Sequence, residues 1–248
     1  MAHDGPRFYD DPTAFAIYQQ HRERADNAND TLERPVVLEL LGDVRGLDVL
    51  DLGCGDGAFG KDLLDAGAAS YCGVDGSTNM IAAAQSKLNG TRGVAHLAEL
   101  QQWAYPTDSA DRVTARLVLH YLENFEPIFA GVHRALRPGG RFVFSVEHPV
   151  ITSCDKVWGG DGLRQDWVVD DYFVTGRRVT TWLGAEVVKY HRTVEDYFLA
   201  LQAAGFTVQS VRESRPERRH FADDEQFARR QRIPLFLFMA AEKHPRGP

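Results

Sequence analysis

The chain has 248 residues, 44% of them hydrophobic and 25% charged, with a formal net charge of −7. That length holds one large α/β domain or two small ones, and the acidic balance disfavours nucleic acid and anionic membrane surfaces as partners. Cys54, Cys72 and Cys154 are too few and too irregularly spaced for a disulfide framework or a zinc pattern, so no metal is expected. The opening MAHDGPRFYDDP is acidic without an apolar stretch, unlike a signal peptide, and no apolar run approaches the ~18 residues that span a bilayer. The expected location is cytoplasmic.

Hydrophobic periodicity orders the elements. DPTAFAIYQQHRERA (11–25) spaces its apolar residues as a helix, and NDTLERPVVLELLG (29–42) predicts a second, capped by Asn29 or Asp30. GLDVLDLG is a short buried strand, and AFGKDLLDAG a helix closed by Gly67. ASYCGVDG predicts a strand ending at Asp75, followed by the helix STNMIAAAQSKLNG with Ser77 or Thr78 near its start. GVAHLAEL and DRVTARLVLH (111–120) are the next strands, ENFEPIFAGVHRALRPGG (123–140) a helix, and RFVFSVEHP (141–149) a fifth strand. Strands alternating with single helices imply βαβ units and a parallel sheet covered on both faces.

After Pro149 the rhythm breaks. Residues 150–190 hold Trp158, Trp167 and Trp182, and two β-rich runs there can pair as a hairpin around Gly184. A helix (191–205), the strand FTVQSVRE and a last apolar strand, RIPLFLFMAA (232–241), follow. The arginine- and acid-rich segment between those strands reads as a solvated, ion-paired loop. The expected organisation is a single domain: a helical cap (1–44), a core (45–149), an insertion covering the substrate (150–190) and the C-terminal part of the sheet (191–248).

VLDLGCGDGAFG (Val49–Gly60) is the stretch richest in chemical content. A strand, a glycine-rich turn and a helix place backbone N–H groups at the carboxyl edge of the sheet, where open α/β folds bind ligands. A phosphate loop requires Ser or Thr after its lysine, but Asp62 follows Lys61. A dinucleotide fingerprint is met nominally by Gly53, Gly55 and Ala58, yet Asp51 and Asp56 flank the turn and would repel a pyrophosphate. Carboxylates there suit a ligand with a positive group. Asp75, about 20 residues on and at the end of the second strand, can accept ribose hydroxyls.

These features, with YCGVDGS, RLVLHYL and ALRPGGRFVFSVEHP in order after VLDLGCGDG, resemble the class I S-adenosylmethionine-dependent methyltransferases, most closely over residues 45–148. The resemblance implies a Rossmann-like α/β sheet of about seven strands, mostly parallel with the last antiparallel, and S-adenosyl-L-methionine as cofactor with S-adenosyl-L-homocysteine as product. It implies that Asp51 orients the methionyl ammonium while Gly53, Cys54 and Gly55 present backbone to the methionyl part. It further implies Asp75 and Gly76 at the ribose, Glu99 and the backbone of Leu100 at the adenine, and Met80, Leu117 and Tyr18 packed on the ligand.

Each residue also has a plainer reading. Cys54 packs under the loop, Asp56 serves as a turn or cap residue, Met80 belongs to the core, and Tyr18 and Arg24 lie on an amphipathic helix. His120 and Tyr121 follow the fourth strand and His148 the fifth, at the edge where a transferable methyl points. His120 is the candidate general base, with a structural imidazole as the alternative. Tyr121, His148 and Trp182 are the candidate substrate contacts. The resemblance extends to bacterial methyltransferases of small metabolites and natural products, implying N- or O-methylation of a small acceptor such as a heteroaromatic azapteridine. A monomer or homodimer is expected. The rival readings are a cofactor-binding protein without transferase activity and a nicotinamide-dependent oxidoreductase.

Overall fold

The computed structural model describes residue 3 and residues 5–22, 27–154 and 167–245. Trp158 and Arg24 lie outside them. Seven strands form one sheet: β1 (Asp48–Leu52), β2 (Ser70–Asp75), β3 (Gly93–Leu97), β4 (Ala110–Arg116), β5 (Leu136–Glu147), β8 (Phe206–Glu213) and β9 (Phe236–Lys243), in the order β3-β2-β1-β4-β5-β9-β8. The first five are parallel, while β9 runs antiparallel to both β5 and β8. The order reverses between β1 and β4, which opens a crevice at their carboxyl ends. The expected Rossmann-like sheet is the observed one.

Alternation along the strands divides the core into two layers. From β5, Phe142, Phe144 and Val146 face α6 (Glu126–Ala135) and α8 (Val194–Ala203), packing with Phe129 and Tyr197. Val143 faces the other way, into the layer of α3 (Arg34–Leu41), α4 (Ala58–Asp65) and α5 (Thr78–Leu88), with Phe59, Tyr71 and Phe238. Local chemistry sets the ends of these helices. The Ser77 hydroxyl accepts the Met80 N–H at 3.2 Å, and Thr193 and Asp196 form a reciprocal capping box at the start of α8.

Several expected boundaries move. The expected 11–25 helix is α2 (Pro12–Arg22), started by the Asp11 carboxylate, which accepts the N–H groups of Thr13 and Ala14, and a further helix not expected from the sequence, α1 (Gly5–Asp10), precedes it. The second helix opens with a π-helical turn (Asn29–Glu33), and Asn27, not Asn29 or Asp30, supplies the cap oxygen, to the Asn29 N–H at 2.8 Å. β4 ends at Arg116, since Leu117 turns to φ 51° and a 3₁₀ turn follows over Leu119–Tyr121. α6 stops at Ala135, before Pro138, and Leu136 already pairs with Ala110 as part of β5.

The tryptophan-rich region contains α7 (Pro149–Thr152) and an antiparallel hairpin, β6 (Gly176–Trp182) and β7 (Ala185–His191), turning through Leu183 and Gly184, both at positive φ. The segment expected to be a solvated loop instead forms α9 (Asp224–Gln231), capped by Asp223.

Candidate active site

A cavity of about 710 Å³ opens over the carboxyl ends of β1, β2, β4 and β5, roofed by α1, α2, the β6–β7 hairpin and α9. At the end of β1, Asp51 is buried, and its carboxylate accepts hydroxyl bonds from Tyr71 at 2.7 Å and Thr114 at 2.5 Å. Burial pushes its pKa up against those two bonds. The chain then turns at Gly53, where φ is 70° and an added Cβ would lie 2.6 Å from Val118, so only glycine fits. Cys54 is buried and its thiol pKa is raised by burial and by Asp51, which leaves it inert as a nucleophile. Asp56 accepts the Ala58 N–H and pairs with Lys87 at 2.6 Å, so it is a helix-start residue, as its plainer reading has it.

At the end of β2, the Asp75 carboxylate accepts the Gly55 N–H through one oxygen and the Ser77 N–H through the other, each at 2.9 Å. Each oxygen keeps a further lone pair for a ligand hydroxyl. Burial raises this acid to about 6 despite both bonds. Gly76, Met80, Glu99 and Leu100 line the same part of the cavity, with Leu117 and Tyr18 beside them. Burial lifts the Tyr18 phenol to about 12, and its ring meets Tyr9 edge-on at 5.0 Å.

The cap is latched directly onto this part. Asp10 accepts the Ser77 hydroxyl at 2.7 Å, and Asn79 donates to the Tyr9 carbonyl at 3.0 Å. An added Cβ at Gly76 would sit 2.8 Å from Pro6 Cγ in α1. The variant Gly76→Ala is therefore expected to push α1 off the cavity and raise the dissociation rate of S-adenosylhomocysteine roughly tenfold, with denaturant stability lowered by no more than about 1–3 kcal/mol. Stopped-flow displacement measures the rate; an unchanged rate would place α1 outside the ligand path.

The other end of the cavity lies beyond β4 and β5. His120 is buried, and its Nδ1 accepts the Glu147 N–H at 3.4 Å. Burial lowers its pKa to about 4, against the pull of Glu147. With Nδ1 accepting, the neutral imidazole carries its proton on Nε2 and can donate from there. Lys189 on β7 contacts Glu147 at 2.5 Å. Burial opposes both charges, but mutual attraction outweighs it, raising Lys189 and lowering Glu147. The ammonium also stands 5.8 Å from the Tyr121 ring and 5.5 Å from that of Trp182.

All eleven residues expected at the cofactor line this one cavity, as do His120, Tyr121 and Trp182. His148 does not. Its Nδ1 accepts the Val150 N–H to start α7, and its Nε2 contacts Glu213 on β8 at 3.0 Å, so both ring nitrogens serve the scaffold and a substrate contact is withdrawn. Sequence reasoning passed over Glu147, Lys189, Arg22 and the α9 arginines Arg229 and Arg230, all in the lining.

Comparison with known proteins agrees with this geometry. A methyltransferase domain matches residues 50–144. The crystal structure of an S-adenosylmethionine-dependent methyltransferase from Mesorhizobium loti superposes with a TM-score of 0.79 at 35% identity, over 90% of this chain and 99% of that one. An uncharacterised protein of Haemophilus influenzae is 31% identical over 216 residues, 83% of this chain and 85% of the relative. A demethylmenaquinone methyltransferase of Lactococcus lactis is 29% identical over 149 residues, 58% of this chain and 56% of the relative. With motifs, sheet order and full-length similarity in agreement, the chain belongs to the S-adenosylmethionine-dependent methyltransferases and uses S-adenosylmethionine as its cofactor.

Proposed function

We propose that this methyltransferase acts on a small molecule enclosed between the carboxyl edge of the sheet, the N-terminal helices and the β6–β7 hairpin. The observation that carries the reading is the single cavity, which joins an acid-lined end at β1–β3 to a covered, aromatic end at β4, β5 and the hairpin. The chain's acidic balance supports a metabolite over nucleic acid. The similarity to a methyltransferase named for demethylmenaquinone points the same way.

The residues present fit the cofactor. In this proposal, Asp75 accepts the ribose hydroxyls with the lone pairs left over from Gly55 and Ser77. Glu99 and the Leu100 backbone meet the adenine, and Met80, Leu117 and Tyr18 pack on the ligand's apolar faces. Gly53, Cys54 and Gly55 admit the methionyl part close to the backbone, over the buried charge of Asp51. When bound, the cofactor supplies an electrophilic methyl group on a sulfonium. The protein's tasks are then to align the acceptor, exclude water and hold the site rigid.

Tyr121 and Trp182 provide flat surfaces for a conjugated acceptor, and a ring nitrogen of an azapteridine-like heterocycle is one nucleophile they would suit. His120 donates through Nε2 to position the acceptor. His120→Gln is expected to lower turnover by about tenfold, one hydrogen bond's worth, while cofactor affinity stays unchanged. At saturating cofactor, turnover should show no limb between about pH 6 and 8 from this residue, whose pKa is about 4. A limb in that range lost in the variant would make His120 a base after all.

Incubation with methyl-labelled S-adenosylmethionine and a metabolite extract tests the reading. Label should enter compounds of low molecular mass; label confined to protein or RNA would overturn it.

A further inference from the structure

The hairpin end of the cavity is oversupplied with hydrogen-bond donors. Arg22 Nη1, Trp182 Nε1 and Thr180 Oγ1 are buried without a partner among the described residues, and all three residues line the cavity. Buried polar atoms are rarely left unpaired, so three such donors on residues that line one cavity call for an explanation. An indole N–H and a guanidinium can only donate, and a hydroxyl can donate as well as accept.

The three groups come from two elements that meet here, α2 and β6. His21, the neighbour of Arg22 on α2, packs edge-on against Trp182 at 5.6 Å. Thr180 and Trp182 alternate along β6 with Arg178, which stands opposite Lys189 on β7. Arg178 donates to the carbonyls of Ser153, Val174 and Arg177, so among the described residues no acid neutralises it. On a further side, α9 brings Arg229 and Arg230 into the lining.

Charge is thus sorted along the cavity of an acidic protein. Asp51, Asp75 and Glu99 stand at the ends of β1, β2 and β3. The hairpin end has Arg22 (paired with Asp30), Arg178, Lys189, Arg229 and Arg230, and there Glu147 is engaged by Lys189.

We infer that the methyl acceptor is a small organic anion, its carboxylate or phosphate oxygens received by Trp182, Thr180 and Arg22 at the hairpin end. The inference rests on the small-molecule reading above. A flat conjugated acid meets both demands: its ring lies against Tyr121 and Trp182, and its anionic oxygens accept from the buried donors. A neutral heterocycle could accept these hydrogen bonds through a ring nitrogen or carbonyl, but it would bring no negative charge to the cations of this end.

The test separates a metabolite extract on an anion-exchange column before any methyl transfer, because methylating an acid can remove the charge used to sort it. The retained and unretained fractions are then each incubated with the full chain and labelled cofactor. Label is expected in small molecules of the retained fraction, at least tenfold above the unretained one. Small-molecule label of equal or greater amount in the unretained fraction overturns the anion and leaves the small-molecule reading standing. Label only in macromolecules, or none in either fraction, overturns both. With the acceptor purified from the labelled fraction, Trp182→Phe and Thr180→Val should each raise its KM tenfold or more while S-adenosylhomocysteine affinity stays within twofold, which also certifies folding. An unchanged KM in both variants removes these donors from acceptor recognition.

Discussion

Asp75→Ala should weaken S-adenosylhomocysteine binding on the order of 100-fold or more, with the protein still folded. Two hydrogen bonds to a carboxylate are worth about 1.5–3 kcal/mol each, and the variant loses both along with the anchor of the Gly55 and Ser77 N–H groups. The same residue makes binding pH-dependent. In the free protein its pKa is about 6, above the value of about 4 for an unfolded aspartate, because burial penalises the charge. The folded state therefore holds this proton more tightly. The resulting stabilisation, about 3 kcal/mol, is full below about pH 4 and lost as pH rises through about 6. Ligand binding runs the other way, since the ribose hydroxyls need an ionised acceptor. Affinity measured by calorimetry should be flat above about pH 7 and fall about tenfold per pH unit below 6. Affinity independent of pH between 5 and 7, or unchanged in the alanine variant, would remove Asp75 from the ligand.

The second large effect concerns the joint between cap and sheet. Glu33, fully buried at the end of the π-helical turn, pairs with Arg116 at the end of β4 and accepts the Ser145 hydroxyl of β5 at 2.7 Å. Arg116 also lies 4.0 Å over the Phe59 ring, and burial of its charge is outweighed by the pull of Glu33. Glu33→Ala leaves the buried guanidinium without its ion-pair partner, and should cost about 3–5 kcal/mol in urea denaturation. Replacing both partners, as Glu33→Leu with Arg116→Met, should recover most of that stability, because the desolvation of two charges disappears with their attraction. Activity should not recover, because Arg116 lines the cavity. A loss below about 1 kcal/mol in the single variant would show that water already reaches the pair.

These residues also mark where reading from sequence ends. Asp51, Gly53 and Asp75 were readable because strand, turn and acid follow one another within a βαβ unit, so spacing alone carries them to one edge. Glu33 and Arg116 are 83 positions apart, and Lys189 and Glu147 are 42 apart, so only the folded chain brings them together. One local signal for Lys189 was available: Val187, Lys189 and His191 share a face of β7 and are all buried, and a cation in an inward row needs a partner. α9 escaped because, apart from Phe227, it has scarcely any apolar stripe. Its end chemistry was nevertheless in plain view, with Asp223 as cap, Asp224 and Glu225 in the first turn and Arg229 and Arg230 in the last. His148 misled because a strand end faces two ways: the ring can enter the crevice or turn back to cap the next helix, and here it caps α7.

The most direct measurement is a crystal structure with S-adenosylhomocysteine bound. Both ribose hydroxyls should lie within hydrogen-bond distance of the Asp75 carboxylate, with the adenine beside Glu99 and Leu100 and the sulfur facing His120 and Tyr121. A ligand lying with its ribose away from Asp75, or with its sulfur turned from the hairpin end, would contradict this placement.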